Sequence, residues 1–238
     1  MIGLGTIVNA VGVVLGGFVG LLFRKGLKER FQETIMQSIG LAVIFIGAAG
    51  AMQGLLVITE SGLTTAKGML TVFAMVLGGI TGELLNIEGG LEKFGSFLRK
   101  KFSKGEDTGF LDGFINASLT ICIGAMAIVG SLEDGMTGDA TMLFTKTILD
   151  TVILVVFAST YGIGALFSVI PLVLLQGGVT VLARFIAPLM TDAVIANLSF
   201  LGSMLIFCVG SNLMFKTKIK VCNLLPSLIY VAVLGLFI

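Results

Sequence analysis

"GTIVNAVGVVLGGFVG", residues 5 to 20, holds five glycines, one threonine and one asparagine, and every other residue in it is apolar. In water each interior glycine costs a helix about 0.5–1 kcal/mol relative to alanine. A bilayer changes the balance, because no water competes there for backbone hydrogen bonds and small residues let two helices approach closely. At 100° per residue, Gly5, Asn9, Gly12, Gly16 and Gly20 fall within about 80° of one another. Gly12, Gly16 and Gly20 form two overlapping GxxxG steps. The stretch reads as the first transmembrane helix of a tightly packed bundle, and the same stripe would suit a homodimer.

Composition agrees. Of 238 residues, 56% are hydrophobic, only 12% are charged, and 33 are glycine; the mean hydropathy is +1.08. A soluble domain carries about 25% charged residues, so this chain cannot cover a water-facing surface. The net charge of +1 gives no argument for nucleic acid. Histidine and tryptophan are absent. Cys122, Cys208 and Cys222 lie in or beside apolar runs without CxxC spacing, which reads as helix packing rather than metal ligation or disulfides.

About 20 apolar residues cross a bilayer core. On that basis spans are expected at 1–23, 34–59, Gly68–Leu85, Gly113–Leu132, Ala193–Phe215 and Val221–Ile238. Residues 141–183 are too long for one crossing and supply two, broken near "YGIGA" at 161–165. The expected fold is therefore all-α: a polytopic helical bundle of about eight transmembrane helices in a single domain, 1–238. No lysine or arginine precedes the first apolar run, so it is not read as a cleavable signal peptide.

Basic residues cluster in three connections: Arg24, Lys25, Lys28 and Arg30; Lys93, Arg99, Lys100, Lys101 and Lys104; and Lys216, Lys218 and Lys220. Together these make 12 of the 15 basic residues, and with eight spans all three lie on one side. The positive-inside rule makes that side cytoplasmic, with both termini outside. Leu91, Phe94, Leu98 and Phe102 recur at helical spacing among the cations of the second connection, and Leu27, Phe31 and Ile35 echo them in the first. These read as amphipathic connectors lying in the headgroup region.

Internal repetition is also legible. "LGGFVGLL" from Leu15 and "LGGITGELL" from Leu77 each precede a basic connection and then a helix containing "IGA", and a third, weaker copy runs from "LLQGGVTVLARF" at Leu174 to "NLSFLGSMLIFCVGSN" at Asn197. The copies span about 1–60, 68–132 and 163–215, the third inverted relative to the others. Inverted copies are a common transporter plan, with the substrate site near the midplane between them. Gly78 and Gly82 repeat the close-packing stripe in the third helix, and Gly113, Ala117, Thr120 and Gly124 share one face of the fourth.

Polar groups at membrane depth are the candidates for function. A carboxylate at a helix centre costs about 2.5–3.5 kcal/mol on insertion scales, which singles out Asp150. Lys146, one turn earlier, is its partner on the same face. The pair reads either as a gate or coupling site for a proton or cation, or as an ion pair fixing helix register. Asn9 must face protein or a wet cavity. Glu83 lies near the cytoplasmic end of its helix, within reach of water or the basic loop. Asn116 and Ser118, with Asn197 and Ser199, form matching N-x-S steps at the starts of related helices, as inverted gates or interhelical hydrogen-bonding groups.

The stretches "GTIVNAVGVVLGGFVGLLFRKGLKERFQETIMQSIGLAVIFIGA" and "NASLTICIGAMAIVGSLEDG", with the chain length, resemble domain-of-unknown-function family 554, the YqgA-like bacterial inner-membrane proteins. The resemblance covers essentially the whole chain. It implies the membrane fold, the bacterial inner membrane and transport as the suggested class, and it carries over no substrate and no site residues.

No GxSxG, Walker lysine, post-strand GxGxxG or metal-spaced carboxylate cluster is present, so neither an enzyme nor a cofactor or metal site is expected. The expectation is a transporter or channel for a small solute or ion. The alternative is a regulatory or assembly component that binds another membrane protein through its glycine stripes.

Overall fold

The computed structural model describes residues 1–24, 29–59, 62–102, 109–123 and 125–234. Lys25, Leu27, Lys28, Lys104, Gly124 and Ile238, which enter the readings above, lie outside the described residues. The chain divides into two compact units interleaved in sequence: Met1–Met36, Gly90–Cys122 and Met126–Pro188 form the first, and Gln37–Gly89, Ile123–Ala125 and Leu189–Ile238 the second.

In the first unit α1 (Leu4–Arg24) lies along α7 (Thr141–Tyr161). Gly5 faces Leu143, Gly12 faces Thr147 and Thr151, Gly16 meets the Thr151 carbonyl and Gly20 the Val155 carbonyl. Positions advance together on both helices, so the two run parallel. A methyl group at Gly16 would strike backbone rather than side chain, which is what the glycine stripe is for. On α7 the hydroxyls of Thr147 and Thr151 bond back to Leu143 O at 2.8 Å and Thr147 O at 2.6 Å, so they bring no unpaired polar group into the seam. The opposite face of α1 exposes Ile7, Val11, Leu15, Phe18 and Leu22, an apolar stripe suited to lipid.

Residues 113–132 do not form the continuous helix expected. They are divided between α5 (Phe110–Cys122) and α6 (Ala125–Thr137), bent by 60° at the break. Charge-free length cannot reveal such a break, since the residues around it are as apolar as their neighbours. Phe110 and Gly113 pack beside Gly164 and Tyr161 at the end of α7, Gly130 beside Leu143, and Gly135 beside Thr180 and Ala183. The bent pair therefore runs the length of α7 in the opposite direction, as one broken span. Parity agrees: parallel α1 and α7 need an odd number of crossings between them, which α2, α3 and this pair supply.

After α7 the chain breaks where "YGIGA" predicts, at Gly162, whose φ of 85° is natural only to glycine. It continues through α8 (Ile163–Leu166) and α9 (Val169–Ile186). Ahead of α7, Asp139 accepts the Thr141 N–H at 2.9 Å, and that bond holds its carboxyl below the usual range. The amphipathic connector forms α4 (Ile87–Phe102), whose Leu98 packs with Phe110 and Phe114 while Phe94, Phe97 and Phe102 remain exposed beside the cations.

In the second unit α2 (Glu29–Leu55) packs antiparallel on α10 (Asp192–Phe215), with Gly40 against Met214 and Gly47 against Phe207. Residues 56–59, read as the end of the second span, instead form strand β1 (Leu56–Thr59) in a hairpin with β2 (Gly62–Thr65), the one departure from an all-α fold among the described residues. Leu-Val-Ile-Thr is rich in the branched side chains that strands favour. α3 (Gly68–Leu85) packs antiparallel on α11 (Val221–Leu224) and α12 (Pro226–Leu234), with Gly82 against Asn223 and Gly78 against Ser227.

Among the described residues six helices are long and apolar enough to cross a membrane, or seven when the bent pair is counted as one span. The eighth expected span corresponds to Val221–Leu234, an apolar segment below the 18-residue length of the others. It is divided before Pro226, whose ring and missing N–H suit the first turn of a helix but not its interior. Reporter fusions at Lys100 and Lys218 should report the same, cytoplasmic face. Opposite faces would break the parity argument and the eight-crossing count with it.

Candidate functional site

Four buried polar side chains of the first unit converge across three helices. Asn9 of α1 is 0% exposed, Gln176 of α9 1%, Asp150 of α7 3% and Lys146 6%. The in-step packing of α1 on α7 puts Asn9 beside Asp150, and its Nδ2 donates to Asp150 Oδ2 at 3.0 Å. The same nitrogen lies 3.3 Å from Gln176 Oε1. Lys146, one turn before Asp150 on the same face, ion-pairs with Asp150 Oδ2.

The Lys146 ammonium has a second partner. It donates at 2.7 Å to the carbonyl oxygen of Ile121, in the last turn of α5. The last four carbonyls of a helix have no partner inside it and carry its negative dipole end. Breaking the span after Cys122 therefore creates, inside the unit, an acceptor that an unbroken helix would have consumed. The cation is met by one full charge and one helix end, so neither member of the pair is a lone charge in apolar surroundings.

The polar seam continues along α1 and α9. One turn from Asn9, the hydroxyls of Thr6 and Thr180 are 3.5 Å apart. Beyond them Asp134 of α6, 0% exposed, accepts the backbone N–H groups of Gly3 at 3.1 Å and Gly5 at 3.0 Å. A carboxylate there satisfies two orphan donors and complements the positive end of α1. Among the described residues two buried atoms of the cluster have no hydrogen-bond partner: Asn9 Oδ1 and Gln176 Nε2. Buried polar groups in folded proteins are overwhelmingly paired, so an orphaned acceptor and an orphaned donor on two adjoining amides single this cluster out as the candidate site.

The other candidates lie apart from it. Asn116 on α5 lies beside the Tyr161 side chain, and Ser118 bonds back to Phe114 O. Asn197 and Ser199 belong to the second unit, where Asn197 Oδ1 is a further orphaned acceptor. Glu83, also in that unit, accepts Lys220 Nζ and Asn223 Nδ2, each at 2.6 Å, and ties the end of α3 to the start of α11. Gly12, Gly16, Gly20, Gly78 and Gly82 serve close packing within the chain.

Gln176, Asp134, Thr6, Thr180 and the Ile121 carbonyl are not among the site candidates named from the sequence. Gln176 had a usable signal: it is a lone amide in an apolar span, just as Asn9 is.

A family model for a "Protein of unknown function (DUF554)" matches residues 4–236. The chain belongs to the DUF554 family. Among the similar proteins is the "Uncharacterized membrane protein YdfK" of Bacillus subtilis (strain 168), 31% identical over 225 residues that cover 94% of this chain and 92% of that protein. Another is the "Uncharacterized protein YqgA" of Escherichia coli (strain K12), 30% identical over 230 residues, covering 95% and 93%. No solved structure matches the chain. For this DUF554 protein the matches establish the membrane family along nearly the whole chain, and the site rests on its own geometry.

Proposed function

We propose that this protein is a transporter or channel for a small solute or ion, located in a bacterial inner membrane with both termini outside. The observation that carries the reading is the Lys146–Asp150 pair, buried in a membrane-spanning helix and capped by the free end of a broken one. Intramembrane ionisable residues are costly, and they mark ion and substrate pathways by default. Discontinuous helices whose freed carbonyls meet a charge are the usual means by which transporters build such sites. Topology follows from the placement of 12 of the 15 basic residues in three connections on one side.

The assembly-component reading depends on glycine stripes open to a partner. The stripe of α1 is covered by α7, and that of α3 by α11 and α12, within the same chain.

The test is flux. Purified protein in liposomes should give uptake or current above protein-free liposomes for at least one member of a panel of monovalent ions and small polar metabolites. Asp150→Asn, checked for its fold, should bring that flux to background. Silence across the panel at both signs of membrane potential would remove the transport reading.

A further inference from the structure

The atoms that hold the Lys146 ammonium are those that would hold a free cation: a carboxylate oxygen of Asp150 and the Ile121 carbonyl at a helix C-terminal end. Both are oxygens, and one carries the single negative charge of the cluster. Beside them is the orphaned acceptor Asn9 Oδ1, on a residue that is 0% exposed. Turning the Asn9 amide over would set Oδ1 against Asp150 Oδ2, where Nδ2 now donates at 3.0 Å. Two such oxygens repel each other unless a proton or a cation lies between them. Turning Gln176 as well would let its orphaned Nε2 donate to Asn9 Oδ1, since the two amides already adjoin at 3.3 Å. The amide pair thus has a second arrangement that suits a cation beside Asp150.

We propose that these oxygens form a monovalent-cation site, and that Lys146 is a tethered cation that occupies it until an entering ion displaces the ammonium. One carboxylate fixes the valence. A monovalent ion in place of the ammonium leaves the balance with Asp150 at zero, whereas a divalent ion would leave an uncompensated buried charge. Divalent ions also ask for several carboxylates or six to eight oxygens. Among the described residues no group of three or more acidic, cysteine or histidine side chains could hold a metal ion. The oxygens exchange one cation for another, and the balance closes when the displaced Lys146 gives its proton to water and swings away as a neutral amine, because a buried ammonium left without its partners would be strongly destabilising. The inference names the ion class for the transport reading. It rests on that reading for movement of the ion, but not for its binding.

The experiment uses the full chain in detergent and reads melting temperature in potassium, sodium and N-methylglucamine chlorides at equal ionic strength. Lys146→Ala removes the tethered cation and opens its place. At an ion concentration about tenfold above Kd, one-site linkage should raise the melting temperature of a chain this size by about 3–6 °C in potassium or sodium relative to N-methylglucamine. The native protein should move by less than about 1 °C, because its site is already filled. Lys146→Ala/Asp150→Asn should show no difference between the salts.

Lys146→Met is the second variant. It refills the space with an apolar chain, so packing alone makes it the milder change. The proposal requires the reverse order in potassium, with Lys146→Ala melting higher than Lys146→Met. Equal melting of Lys146→Ala in all three salts would overturn the proposal, as would a shift that survives Asp150→Asn. Loss of both single variants in every salt would also overturn it, since oxygens that accept an untethered cation should rescue Lys146→Ala. Ion-specific stabilisation without any flux in liposomes would leave the site standing and remove the transport reading.

Discussion

Asp150→Asn should lose both the fold's stability and its flux, and only the first should be recoverable. The substitution keeps size and hydrogen-bonding capacity while removing the one charge that faces Lys146. Stranding one member of a buried pair costs about 3–5 kcal/mol, a large share of the roughly 5–15 kcal/mol that holds a typical domain folded. Lys146→Met in the same chain removes the stranded cation. The double variant should therefore regain most of the lost melting temperature, because the two side chains act as one unit and their effects are not additive. Flux should stay at background in the double variant, which has no carboxylate left to receive an ion. Restoration of flux together with stability would reduce the pair to a device for fixing helix register. Native flux and native melting in Asp150→Asn alone would remove Asp150 from both roles, leaving Asn9 and Gln176 as the polar groups of the seam.

Gly16→Leu should be nearly as damaging, for a steric reason. A Cβ at Gly16 meets the carbonyl oxygen of Thr151, and backbone cannot swing aside as a side chain can. The helices would have to separate, which would also lengthen the 3.0 Å Asn9–Asp150 bond, about two turns away along α1. Overpacking typically costs about 1–3 kcal/mol; here the lost hydrogen bond to a charged group adds about 1.5–3 kcal/mol. Gly177→Leu is the control, since nothing lies within 4 Å of a Cβ built at that position. Equal melting of the two variants would show that the α1–α7 seam has slack.

These two positions also show what a sequence can and cannot disclose. The stripe from Gly12 to Gly20 announces a close neighbour, because glycine in a membrane helix is cheap and useful only there. It does not announce which neighbour, because Thr147 and Thr151 on α7 carry no complementary signature; their hydroxyls are satisfied within their own helix. Asp150, Lys146 and Asn9 stand out by the cost of polarity in hydrocarbon, and the geometry brings all three together. Gln176 stands out by the same rule but was read only as part of a repeat. The Ile121 carbonyl could not be read at all. Its availability comes from a break in the backbone, and every residue type carries the same carbonyl. Asp134 was hidden for a different reason: an acidic residue near the end of an apolar run looks solvated, whereas it is buried against the first turn of α1. Pro226 was the readable sign that the last apolar segment is not one helix, and length alone overrode it.

The bond between Asn9 and Asp150 joins residues 141 positions apart. At a synthesis rate of about 5–20 residues per second, α1 enters the membrane about 7–28 s ahead of Asp150. Its 21 residues are apolar enough to keep it there without help. Throughout that interval the asparagine and the glycines beside it have no α7 to cover them. The first unit cannot be assembled helix by helix as the chain emerges from the ribosome. α1 is placed early and waits, and a surface that is sealed in the finished protein stays open while the rest of its unit is being made.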